Sequence, residues 1–222
     1  MIRFSLYLLC LLPALALAHG VADGDRLFIE GNPGLQLVPF VYLGAKHMVT
    51  GYDHLLFLLG VIFFLRNLRD VGLYVSLFAV GHSVTLLAGV LGNLQVNAWL
   101  VDAVIGLSVV YKGFDNLGGF NRLGWRPEPR WAVLIFGLIH GLGLATKLQE
   151  FHLAPDGLVA NILAFNVGVE LGQLLALSGM LILMALWQRA RGFTRHAVLA
   201  NVALMAAGFL LTGYQLAGYL NL

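Results

Sequence analysis

Four histidines and two carboxylates occupy an otherwise oily chain. They are His47, Asp53 and His54 in AKHMVTGYDHLLFLLGVIFFLR, His82 in VGHSVTL, His140 in FGLIHGLGLA and Glu170 in LAFNVGVELGQL. Imidazole nitrogens combined with carboxylate oxygens suit borderline divalent ions such as Ni(II), Co(II), Zn(II) and Cu(II), whereas Mg(II) and Ca(II) take all-oxygen shells. A single histidine in an apolar helix usually serves packing through one hydrogen bond. A set of them sharing one depth with carboxylates points to a metal site instead.

The elements that carry these residues are membrane helices. Of 222 residues, 59% are hydrophobic and 11% charged, and the mean hydropathy is +0.85, well outside the range of a soluble domain. A helix needs about 20 residues to cross the hydrocarbon core. Six stretches qualify, near 46–65, 71–91, 97–116, 131–147, 159–187 and 197–219. The expected fold is all-α, a polytopic membrane protein with a bundle of about six transmembrane helices over 37–222. The segment LVPFVYLG ahead of the first span reads as an interfacial or re-entrant lead-in.

Residues 1–18, MIRFSLYLLCLLPALALA, have an early Arg3, an apolar run and a small-x-small end at Ala16 and Ala18, the pattern of a cleaved secretory signal peptide. Residues 19–36 are then a short periplasmic segment. The only cysteine, Cys10, falls inside the signal, so the mature chain has no thiolate for an iron–sulfur cluster, an all-cysteine zinc site or a cysteine nucleophile. This orientation makes the loops at 66–70, 117–130 and 188–196 cytoplasmic. They carry Arg66, Arg69, Arg122, Arg126, Arg130, Arg189, Arg191 and Arg195, whereas the opposite connections hold only Lys147. That asymmetry is the one the positive-inside rule requires. The net charge of +2 gives no nucleic-acid footprint.

Depth can be counted at about 1.5 Å per helical residue. His54 lies about 18 Å above Arg66, His82 about 18 Å above Asp70 and His140 about 15 Å above Arg130, with Glu170 near the middle of the fifth span. Ionisable groups at that level cost several kcal/mol unless paired or solvated. Asn166, Glu170 and Gln173 follow i, i+4, i+7 and share a helix face. Asn166 and Gln173 read as interhelical supports, and Glu170 as a ligand or proton carrier. In a straight helix His47 and His54 would be about 10.5 Å apart along the axis, too far for one ion. Gly51 between them offers a bend, so either a broken helix with a single site or an outer His47 feeding an inner His54 satisfies the spacing.

The remaining polar residues have plainer readings. Asp102 is an interfacial residue, Lys112 and Asp115 an i, i+3 ion pair, and His152 and His196 solvated loop histidines. His19 is the residue after the signal cut. Ser83 lacks the glycine spacing of a nucleophile elbow, and reads as packing or support to His82.

His47-x5-Asp53-His54 followed by LLFLLG resembles the signature of the HupE/UreJ family of hydrogenase and urease accessory membrane proteins, particularly its divergent second branch. VGHSVTL, FGLIHGLGLA and LAFNVGVELGQL are similar to further stretches of that branch, in order, over about residues 40–190. The resemblance implies a secondary permease for nickel or cobalt in a bacterial inner membrane, with His47, Asp53 and His54 in transport. The better-known branch has two histidines where this chain reads FGLIHG, which leaves His82 and Glu170 to complete a different shell.

The expected function is thus a permease in which His47 captures a divalent ion. Asp53, His54, His82, His140 and Glu170 then hold it near the midplane. The partners are lipid and the metal ion substrate, with a homo-oligomer admissible. No nucleotide-binding loop is present. Two alternatives use the same residues: an intramembrane zinc hydrolase in which histidines and a carboxylate activate water, and an accessory protein that binds metal without transporting it.

Overall fold

A computed structural model describes residues 31, 34–125, 127–149 and 156–221. The expected signal peptide 1–18, most of the expected 19–36 segment, His19 and His152 lie outside them. The described residues form eight helices and no strand: α1 (Leu37–Thr50), α2 (Tyr52–Ile62), α3 (Leu68–Leu91), α4 (Ala98–Asn116), α5 (Gly119–Arg122), α6 (Pro129–Gln149), α7 (Leu158–Gln188) and α8 (Phe193–Leu220). Four of them, α3, α6, α7 and α8, are long and apolar enough to cross a membrane. The chain is an integral membrane protein built as a helical bundle, with lipid as its outer solvent.

The first expected span differs from its sequence reading. It begins at Leu37, not Lys46, and consists of two half-helices broken at Gly51. LVPFVYLG is therefore the body of α1 rather than an interfacial lead-in. Its Phe40, Leu43 and Gly44 are buried. Gly51 is extended at φ −73° and ψ 97°, donates its N–H to the His47 carbonyl and accepts from Leu55 N–H. Its backbone thus closes α1 and opens α2. A Cβ there would lie 2.8 Å from His54 Nδ1 and 3.1 Å from Asp53 Oδ1, so only glycine leaves room for that pair. His196 also differs from its reading, since it lies exposed in the first turn of α8 rather than in a loop.

Three helix pairs make the most extensive contacts, α3 with α6, α1 with α7, and α4 with α8. Each is closed by glycines against backbone. A Cβ on Gly81 would come within 2.6 Å of the Leu134 carbonyl, one on Gly137 within 2.5 Å of the Phe78 carbonyl, and one on Gly141 would collide with the His82 carbonyl. Gly44 and Gly168 do the same between α1 and α7, as Gly106 and Gly208 do between α4 and α8. Apolar side chains gain little from leaving lipid for protein, so membrane helices associate through close packing of this kind. In consequence the backbones that carry His82 and His140 are pressed together.

Candidate metal centre

Three histidines that are far apart in sequence meet behind these contacts. His54 enters from the first turns of α2, His82 from α3 and His140 from α6, with exposures of 3%, 1% and 1%. The His54 ring centroid lies 5.8 Å from that of His82 and 5.1 Å from that of His140. The break at Gly51 folds His47, in the last turn of α1, onto the same group, so that its ring centroid is 5.0 Å from that of His54. The break that the spacing allowed at Gly51 is present, and it brings His47 beside His54.

Hydrogen bonding arms these rings in a consistent way. His54 Nδ1 is 2.9 Å from Asp53 Oδ1, which also accepts from the His54 backbone N–H at 2.9 Å. His140 Nδ1 donates to the Phe136 carbonyl at 2.7 Å. A ring that gives its Nδ1 proton to an oxygen keeps a free lone pair on Nε2, the arrangement by which metal-binding imidazoles are usually oriented. His54 Nε2, His140 Nε2, His47 Nε2 and both ring nitrogens of His82 are buried without a hydrogen-bond partner. Buried polar atoms normally find partners, and unpaired nitrogens on four neighbouring rings are donors of the kind a divalent transition metal ion takes. Asp53 lies in the first turn of α2, where a helix dipole favours negative charge.

Among the described residues, no three His, Cys, Asp or Glu side chains already converge tightly enough to hold a metal ion. Imidazole rings at these separations still have to turn about their χ angles before they could share one cation. Phe57, Phe78 and Phe165, all at most 1% exposed, fill the space around them. That apolar wall lowers the local dielectric and makes an unpaired donor more costly.

Glu170 does not join them. It is exposed on α7, outside the cluster, which corrects the midplane site expected from sequence. Its helical neighbours show why. Asn166 Nδ2 donates to Ser83 Oγ at 2.9 Å and Gln173 Nε2 to the Val75 carbonyl at 3.2 Å, so both turn toward α3. Glu170 projects about 40° from Asn166 and about 60° from Gln173, which is enough to leave it at the rim of a thin α3–α7 seam. Asn166 and Gln173 tie helices together, as expected of them. Ser83 belongs to that same tie, and its Oγ bond runs to α7 rather than to His82.

Two further expectations can be placed. Lys112 Nζ and Asp115 Oδ2 pair at 2.6 Å, as the spacing implied. Asp102, read as interfacial, is instead buried and held by Lys147 Nζ at 2.7 Å, with Gln215 Nε2 at 3.4 Å. Sequence reasoning missed this α4–α6 bridge. The available signal was that Lys147 is the one basic residue in the connections opposite the arginine-rich end, and so the cation nearest in depth to Asp102.

No curated protein and no solved structure matches the chain. The family described as HupE / UreJ protein matches residues 23–222, a region that contains the broken helix, the four histidines and every helix that positions them. The chain belongs to the HupE/UreJ family.

Proposed function

We propose that the protein is a secondary permease for a divalent transition metal ion, nickel or cobalt, in the bacterial inner membrane. One observation carries this reading: imidazoles from four helices, three of them buried and that of His47 half-buried, bring unpartnered nitrogens into one space. The donor set is nitrogen-rich and has no thiolate, which favours Ni(II), Co(II) or Zn(II) over Cu(I) or Ca(II).

In this reading the arginine-rich connections face the cytoplasm and α1 begins at the periplasm. His47, half-buried at the broken end of α1, meets the incoming ion first and passes it to His54, His82 and His140. Asp53 holds the His54 ring and supplies negative charge beside the site. Inward movement of a divalent cation gains about 4.6 kcal/mol at 100 mV, twice the value for one charge, so a membrane potential alone can drive uptake. The family's link to nickel and cobalt supports the choice of ion.

Reconstitution in liposomes with an internal metal-sensitive dye tests the reading. Uptake of nickel or cobalt, abolished by His54→Ala, is the expected result. Metal bound without flux would remove the permease and leave a metal-binding accessory protein or a zinc hydrolase. Binding should also weaken in acid, because ligating imidazoles must be deprotonated. The proton then occupies the lone pair that the metal needs, so acid releases metal and neutral pH restores it. Metal that stays bound in strong acid would argue against histidine ligation.

A further inference from the structure

Each of the three innermost histidines has a phenylalanine about one helical turn nearer the arginine-rich end. On α2, which runs toward that end, the spacing is His54 to Phe57. On α3 and α6, which run away from it, the spacings are His82 to Phe78 and His140 to Phe136. The three rings form a layer. Phe57 and Phe78 have centroids 5.5 Å apart, and Phe57 and Phe136 5.6 Å. The upper side of the layer touches imidazole, with Phe57 at 5.5 Å and Phe78 at 5.0 Å from the His140 ring. Phe57 and Phe78 are fully buried.

Beneath the layer lies a cavity of about 160 Å³, roofed by Phe57 and Phe136. Its walls carry Tyr74, Tyr111, Ala132 and the Lys112–Asp115 ion pair. A volume of this size holds several waters, and the tyrosines and the ion pair provide polar groups for them. The Lys112 ammonium neutralises Asp115, so the chamber offers no uncompensated carboxylate while the layer is shut.

We propose that this cavity is a second compartment of the ion path, a rehydration chamber for a divalent cation, and that the Phe57–Phe78–Phe136 layer is the closed gate between it and the imidazoles. The proposal rests on the transport reading. An apolar constriction blocks a charged or hydrated species because it cannot stay wet. When Phe57 and Phe136 swing aside, the cation leaves nitrogen donors and regains water in the chamber. Asp115 supplies the counter-charge there as Lys112 turns away. The histidines supply selectivity, and the aromatic layer decides when the ion may leave.

The gate can be tested without measuring transport. In a Cys10→Ser background, a membrane-impermeant thiol reagent is presented from the arginine-rich face to Ala132→Cys, below the layer, and to His82→Cys, above it. Ala132→Cys should be labelled and His82→Cys protected. Adding Phe57→Ala, or the milder Phe136→Ala, should raise labelling of His82→Cys about tenfold or more, equivalent to about 1.4 kcal/mol on the opening equilibrium. Equal labelling of both sites in the parent, or continued protection of His82→Cys in both phenylalanine variants once folding is shown by gel filtration, would overturn the gate. In the liposome assay with nickel, Phe136→Ala should raise passive leak and Asp115→Asn should slow uptake. The labelling pattern without any nickel flux would remove the permease reading and keep the barrier. Nickel flux with the wrong labelling pattern would do the reverse.

Discussion

Two polar regions lie at similar depth in this bundle and behave in opposite ways. The histidine cluster draws His47, His54, His82 and His140 from α1, α2, α3 and α6 into one buried space. The polar stripe of α7 keeps its three members on one helix. Asn166 and Gln173 bond to α3 while Glu170 stays outside. Side chains on one helix face can only line a seam. Side chains from several helices can enclose a cation, provided the backbones approach closely, and the glycines between α3 and α6 permit that approach. Both regions hold buried polar atoms without partners, but only in the first do they sit on neighbouring rings from different helices; in the second the amide nitrogens of Asn166 and Gln173 are spent on α3.

This contrast can be broken at its strongest point first. His54→Ala and His140→Ala should each lower nickel affinity about a hundredfold or more, the scale of losing one of a few ligands that share 10–16 kcal/mol, read by isothermal titration of the purified protein. Next comes the packing that assembles the site. Gly141→Ala places a methyl against the His82 carbonyl. It should cost about 1–3 kcal/mol through overpacking, despite the roughly 1 kcal/mol that a helix gains from replacing glycine by alanine. A lower melting temperature and weaker nickel binding should appear together.

Asp53→Asn leaves the fold but loosens the His54 ring, and a tenfold to hundredfold loss of affinity is expected from removing such an orienting group. On the other side of the comparison, Gln173→Ala should cost only about 0.6 kcal/mol, the mean for interhelical hydrogen bonds in membranes, with nickel affinity unchanged. The smallest expected effect is from Glu170→Gln, which should leave metal affinity within error. A large loss of binding there would reverse the contrast and return the carboxylate to the site.

The sequence made the elements legible where the physics is local. Long apolar runs require helices in lipid, and five of the six expected spans appear within a few residues of their expected ends. The Lys112–Asp115 pair needed only i, i+3 spacing. The sequence offered Gly51 as a break without deciding for it, because a seven-residue spacing is too long for one ion in a straight helix and equally fits an outer His47 feeding an inner His54. The length of α1 was harder to read, because Lys46 and His47 interrupt its apolar pattern.

By itself, then, the order of residues determined a helical membrane chain with imidazoles and carboxyls at one depth, because depth follows from counting along a helix of fixed rise. It also placed a small residue wherever two helices touch closely. Which way each polar group faces was decided only by tertiary packing. Rotation of a helix about its axis leaves depth unchanged, and a few tens of degrees separate a residue inside the bundle from one at its rim. That rotation put Asp102 against Lys147 and left Glu170 outside. It also stacked a phenylalanine layer beneath the histidines, whose one-turn spacings acquire meaning only when three helices stand side by side.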